Sequence, residues 1–253
     1  MKRSDGRAEE ELRKVRIRRG YLRHAEGSVL IEAGETRVIC SATVEDRIPA
    51  FRRESGGGWV TAEYGMLPRS SQIRIRREIG SRGVKGRTQE IQRLIGRSLR
   101  AATDLTGMGE RTIMVDCDVL QADGGTRSAA ITGGCVALAL ALKKLLDQGS
   151  IERMPLRHLA AAVSVGVVSG EPRLDLDYKE DSRADLDMNV VQTDTGSLIE
   201  VQASAERDTF ERKTFSTLLD LADLGITRLI RMQKELLKSR SMMFMAYSRP
   251  DRS

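Results

Sequence analysis

The segment Arg111-Thr-Ile-Met-Val-Asp-Cys-Asp-Val-Leu-Gln-Ala-Asp-Gly-Gly-Thr-Arg-Ser128 decides the fold, because it passes from a strand pattern through a glycine turn into a helix pattern. Ile113, Val115, Cys117 and Val119 recur with period two, which places them on one face of a strand. Beyond Ser128, Ile131-Thr-Gly-Gly-Cys-Val-Ala-Leu-Ala-Leu-Ala-Leu142 predicts a buried helix running on to Leu146, with Lys143 and Lys144 in its last turn, where cations complement the helix dipole. Between the two, Asp123-Gly-Gly-Thr-Arg-Ser128 supplies what an inorganic anion needs. Unpaired backbone N–H groups open the helix, Gly124 and Gly125 let the backbone approach closely, and Thr126, Arg127 and Ser128 add donors. Taken alone, the hexapeptide reads equally well as a glycine turn with a solvated arginine.

Working outward, strand and helix signals alternate twice. The first half predicts strands near Val15–Ile17, Val29–Ile31, Val38–Val44, Trp59–Glu63 and Ile113–Leu120, with helices Thr88–Asp104 and Arg127–Leu146. The second half predicts strands Ala160–Val168, Leu174–Tyr178, Met188–Thr193 and Leu198–Ala203, closed by a long helix Thr209–Lys238. This is an α+β pattern of mixed sheets with packed helices, built as two strand-and-helix halves. No Pro/Gly/Ser-rich linker separates them. The polar, methionine-bearing tail from Ser239 lacks periodicity and is expected to fray.

At 253 residues the chain can bury a substantial core, and with aromatics at 4% that core must be aliphatic. Base stacking on aromatic platforms is therefore disfavoured, and RNA, if bound, is expected to be held by its backbone. Cys40, Cys117 and Cys135 have no metal-ligand spacing and read as buried reduced thiols, consistent with a cytoplasmic protein. Neither secretion nor a membrane span is expected, since the N-terminus is polar and no run approaches a spanning length of apolar residues.

Charge is concentrated rather than large. From Arg69 to Arg100 ten basic residues face two acidic ones, a local +8 against +6 for the whole chain. Such density is the electrostatic footprint of nucleic acid, since every phosphate neutralised releases condensed counterions; the bland alternative is a solvated helix face and loop. Ser70 to Lys85 reads as a long arginine-rich loop carrying Arg74, Arg76 and Arg77. Ile91, Leu94, Ile95, Leu99 and Ala102 then fall at helical spacing, which puts Arg87 at the helix's N-terminal edge and Arg93 and Arg97 along it.

The sign reverses between Glu171 and Asp187, where seven acids meet three bases. Asp181 and Asp187 flank an expected turn between strands, and converging carboxylates suit Mg²⁺, a hard ion that prefers one or two carboxylates plus substrate phosphate. Hydrated surface acids are the alternative. Other sites find little support. The two histidines, His24 and His158, lie near no serine or cysteine nucleophile motif, and neither a Walker loop nor Gly-x-Gly-x-x-Gly occurs. Asp-x-Glu is absent, which weakens a two-metal hydrolytic exonuclease.

From about Ser4 to Leu237 these residues resemble the ribonuclease PH family, bacterial phosphorolytic exoribonucleases that trim tRNA 3′ ends. The resemblance is carried by Asp5-Gly-Arg7, Glu11-Leu-Arg13, Gly58-Trp-Val-Thr-Ala-Glu-Tyr64, Met66-Leu-Pro-Arg69, Gly86-Arg-Thr-Gln-Glu90, Asp116 to Arg127, and Glu180-Asp-Ser182 with Asp187-Met-Asn189. It implies one RNase PH domain over residues 1–238, a homohexameric ring built as a trimer of dimers, and a phosphate-dependent 3′-to-5′ exoribonuclease. Such an enzyme releases nucleoside 5′-diphosphates from tRNA and can extend RNA in reverse; rRNA processing is a further implied role. By residue, the resemblance implies that Arg87, Gly125, Thr126, Arg127 and Ser128 hold phosphate and that Asp181 and Asp187 serve a divalent metal, Mg²⁺, or acid catalysis. Arg69, Arg74, Arg76 and Arg77, with Arg93 and Arg97 on the helix, would meet tRNA or a neighbouring subunit. A catalytically silent ring subunit and a hydrolytic nuclease are the rival classes. Where the family usually reads Gly-Gly-Thr-Arg-Thr-Ala-Ser-Ile-Thr-Gly, this chain has Gly124-Gly-Thr-Arg-Ser-Ala-Ala-Ile-Thr-Gly133. Ser128 keeps a hydroxyl there, and a hydroxyl is expected to be lost at Ala129.

Overall fold

The computed structural model describes residues 3–54, 56–78, 83–205 and 208–238. The expected tail from Ser239 lies outside the described residues. The first sheet has the order β1-β2-β3-β5-β4, from Val15–Arg19, Gly27–Ala33, Thr36–Glu45, Thr112–Gln121 and Trp59–Met66 respectively. All its pairs are antiparallel except β4 with β5, and that parallel pair is joined through the helix α1, Gly86–Ala101, as a parallel connection requires. The second sheet, order β7-β6-β8-β9, is antiparallel throughout and uses Ala160–Val168 (β6), Glu171–Leu174 (β7), Leu186–Thr193 (β8) and Leu198–Ala205 (β9).

Between the sheets runs α2, Thr126–Asp147, which packs on β2 and β3 on one side and on β6 on the other. Its apolar residues therefore go all the way round rather than forming one stripe. By length and composition alone this helix could cross a membrane, yet 78% of its apolar window is buried inside the protein, as in the core helix of a globular fold. Ile131, Leu138 and Leu142 are fully enclosed, each contributing about 1.5–3 kcal/mol. The period-two face of β5 packs as expected, with Val119, Cys117 and Val115 opposite Val38, Cys40 and Ala42 of β3. A short helix, α3 (Tyr178–Asp181), precedes β8, and α4 (Arg212–Leu237) covers β6, β7 and β8. Buried Gln233 of α4 donates from Nε2 to the carbonyls of Thr132 (3.0 Å) and Ala160 (2.9 Å), tying α4 to both α2 and β6.

Two expectations are corrected. The strand expected at Leu174–Tyr178 ends at Leu174: Asp175 adopts φ 55°, a left-handed conformation that no strand accommodates, and Asp177 then caps α3. Helix α1 begins at Gly86, so Arg87 sits inside its first turn.

Sheet and helix approach closely at Gly27 of β2, where a Cβ would lie 2.0 Å from the Ala137 carbonyl oxygen and 2.7 Å from the Ala141 nitrogen. Both atoms are backbone and cannot rotate away, so Gly27→Ala should cost about 2–3 kcal/mol, seen as a lower Tm with the secondary structure intact.

Candidate active site

The turn into α2 is held open by geometry that only glycine accepts. Gly124 and Gly125 have φ 75° and 63°, and a Cβ on Gly124 would lie 2.5 Å from the Leu176 carbonyl oxygen. No side chain caps the helix, so its first N–H groups remain available, as an anion site requires. Thr126 Oγ1 pairs at 2.8 Å with the hydroxyl of Tyr64, which lies near the C-terminal end of strand β4. Burial raises the Tyr64 pKa and the Thr126 hydrogen bond lowers it, as do the nearby charges of Arg87 and Arg127. The buried phenol thus marks where the start of α1 meets the start of α2. Tyr64 stands in the motif carrying the resemblance, yet its role was not legible: only the pairing of β4 with β5 brings it to Thr126.

Arg127 and Asp187 line one open cleft of about 440 Å³ together with Glu90, Asn189, Val201, Gln202, Ala203 and Ser204. Burial raises the Asp187 pKa from 3.8 to about 6, and the Asp181 carboxylate adds to the rise; Arg127, the Asn189 hydrogen bond and Arg87 oppose it. Asn189 Nδ2 donates to Asp187 Oδ2 at 3.2 Å, while Oδ1 is buried with no hydrogen-bond partner among the described residues. Asp181 ends α3 at the surface, its backbone N–H bonded to the Asp177 carbonyl at 2.9 Å. The structure therefore brings together Arg87, Thr126, Arg127, Asp181 and Asp187.

Ser128 is buried, its hydroxyl has no hydrogen-bond partner among the described residues, and it lines a small cavity of about 20 Å³ with Arg13, Gly125 and Asp175. The hydroxyl loss expected at Ala129 is corrected: matched position by position, the family's serine falls on Ala130, and both alanines are buried.

The basic block divides. Arg69, Arg74, Arg76 and Arg77 are exposed on the segment after β4, which is tied beside the glycine turn by Ala122 N donating to Ser70 O at 2.8 Å. Arg93 and Arg97 are exposed on α1, with Arg97 Nε 2.9 Å from Glu200 of β9. Arg100 is structural instead: it lies 4.5 Å over the Trp59 ring and donates to the Val60 carbonyl at 3.0 Å. Cys40, Cys117 and Cys135 are free and buried.

Residues 11–144 match domain 1 of the 3′ exoribonuclease family, RNase PH, and residues 158–223 match its domain 2. The chain belongs to the RNase PH family. A protein named ribonuclease PH from Syntrophomonas wolfei is 55% identical over 237 residues, covering 94% of this chain and 99% of the relative. Another so named, from Moorella thermoacetica, is 57% identical over 237 residues, covering 94% and 95%. Rice Rrp46 has a similar structure, with a TM-score of 0.76 at 20% identity over 93% of this chain and 100% of that one. A chain of an Archaeoglobus fulgidus exosome with RNA bound to the active site superposes with a TM-score of 0.73 at 22% identity, over 94% and 93%. At such identity these two structures speak for the RNase PH fold alone.

A carboxyl whose pKa is higher folded than unfolded costs stability as pH rises. For Asp187 the cost grows from about pH 4 and is complete above about 6, where the folded carboxylate is ionised. Asp187→Asn should therefore have a higher Tm than the wild type at pH 7.5, with the difference vanishing at pH 4 in paired thermal scans.

Proposed function

We propose that the cleft between α1, α2 and β8 is the active site of a phosphate-dependent 3′-to-5′ exoribonuclease that shortens tRNA 3′ ends and releases nucleoside 5′-diphosphates. The observation that carries this reading is the convergence of two arginines, a bare helix N-terminus and a paired threonine hydroxyl beside two carboxylates. Phosphate is already an anion at neutral pH, so its attack needs little help from a general base, in keeping with the absence of histidine from the site. The harder task is to hold it against the RNA phosphodiester, a second anion. Arg87 and Arg127, with the N–H groups of Thr126, Arg127 and Ser128, offset that repulsion and align the attack. An oxygen of inorganic phosphate bonds to the terminal phosphorus, the bond from phosphorus to the 3′-oxygen breaks, and that oxygen takes up a proton as the new RNA end.

The acidic pair fits a divalent cation. A buried carboxylate oxygen without a hydrogen-bond donor and a second carboxylate that repels it form an oxygen-only donor set, suited to Mg²⁺ completed by water and substrate phosphate. Among the described residues no group of three or more metal-ligating side chains occurs, so water and substrate phosphate would have to complete the coordination. When bound at Asp181 and Asp187, Mg²⁺ would stabilise charge on the scissile phosphate. Asp187, poised near pH 6, can alternatively protonate the leaving 3′-oxygen.

The exposed guanidinium groups of Arg69, Arg74, Arg76 and Arg77, with those of Arg93 and Arg97, are assigned to the tRNA path and to subunit contacts in a cytoplasmic homohexamer arranged as a trimer of dimers. One catalytic unit then spans residues 1–238.

Incubation with Mg²⁺ and a short 3′-labelled RNA should release diphosphates only when phosphate is present; monophosphates released without phosphate would make the protein a hydrolase. In the same assay, Arg127→Ala should raise the phosphate KM at least tenfold with RNA affinity nearly unchanged, and equal losses in both would contradict the assignment. The two roles of Asp187 have opposite pH signatures. As proton donor it must be protonated, so kcat falls above about pH 6; as metal ligand it must be ionised, so kcat falls below it.

A further inference from the structure

The N-terminal segment, far from the cleft in sequence, reaches beneath both of its charged walls. Arg13 is buried, and its guanidinium is shared between two chain segments that have no covalent reason to stay together. Toward the first, Nη1 donates to the Asp123 carbonyl and Nη2 lies 3.5 Å from the Gly124 carbonyl, the two residues that turn the chain into α2. Toward the second, Nε and Nη2 grip Asp175 at 3.0 and 2.6 Å, and the Arg13 backbone N–H adds a third bond at 2.8 Å. Asp175 is the left-handed residue at which the chain leaves β7 for α3 and Asp181.

A separate feature supports the same conclusion. A Cβ on Gly125 would lie 2.9 Å from Arg13 Nη2, so the residue that opens α2 rests directly on this guanidinium. The other side is braced as well. Arg3 and Arg7 donate to the Asp175 carbonyl at 3.0 and 3.1 Å, and Arg3 also grips Glu180, beside Asp181, at 2.9 and 2.7 Å.

We infer that Arg13 is a positioning residue: without touching substrate, it sets the separation between the anion-holding start of α2 and the acidic pair at Asp181 and Asp187. The inference rests on the phosphate-site reading above. Its physical basis is that reacting groups displaced by about 1 Å can lose on the order of 100-fold in rate. The planar fork of arginine is what allows one side chain to span a carboxylate and two carbonyls; a lysine ammonium has the charge without the span.

The test compares wild type, Arg13→Lys and Asp175→Asn by phosphate affinity in equilibrium binding, steady-state phosphorolysis with phosphate varied, and binding of a short RNA without phosphate. Asparagine also tolerates the left-handed conformation, so Asp175→Asn keeps the backbone of this turn, and the constants of every variant are read at a temperature where its thermal scan shows it folded. Both variants should raise the phosphate KM and lower kcat, each at least fivefold, with RNA affinity within twofold of wild type. Gly27→Ala, destabilised at a site outside the cleft, should keep wild-type constants at a temperature where it is folded. Unchanged phosphate constants in Arg13→Lys and Asp175→Asn, or the same losses in Gly27→Ala, would overturn the inference. Failure of the wild type to bind phosphate would remove the underlying reading, and the inference with it.

Discussion

An apolar helix enclosed by two sheets is the constraint on which the rest of the structure depends. Because α2 packs against β2 and β3 on one side and β6 on the other, nearly all of it is unavailable to solvent. Only its ends can carry polar chemistry. Its N-terminus emerges where the two sheets meet, so the helix that organises the core also presents its unpaired N–H groups at the seam between the halves. Each half then needs to bring only its own residues to that point: Tyr64 and Arg87 from the first, Asp181 and Asp187 from the second.

The seam gathers charges that would not gather unaided. Arg87 and Arg127 meet two carboxylates, and burial, with the Asp181 carboxylate beside it, raises the Asp187 pKa against the relief the cations give. Such a site is held together by the surrounding fold rather than by its own interactions. Buried ion pairs involving Arg3, Arg7, Arg13, Asp175 and Glu180 form a base beneath it. Removing one partner from such a pair is strongly destabilising because the other is left as an uncompensated buried charge.

Much of this was legible in the chain. The period-two face of β5, the glycine turn and the apolar run of α2 were all readable because each depends on spacing within a few residues. The misread strand at Leu174–Tyr178 shows where such reading stops. Leu174, Leu176 and Tyr178 alternate with acids as a strand would, yet Asp175 turns left-handed because Arg13, Arg3 and Arg7 converge on it from over 160 positions away.

By itself, then, the sequence determined most of the elements, the aliphatic core, the location of the glycine turn into α2 and the family, since these follow from local periodicity and from ordered motifs. Only the tertiary structure decided that Tyr64 pairs with Thr126, that Arg100 serves Trp59 rather than solvent, and that Arg13 lies beneath Gly125. These are contacts between residues distant along the chain, and their geometry is set by how the sheets pack around α2, which no local pattern encodes.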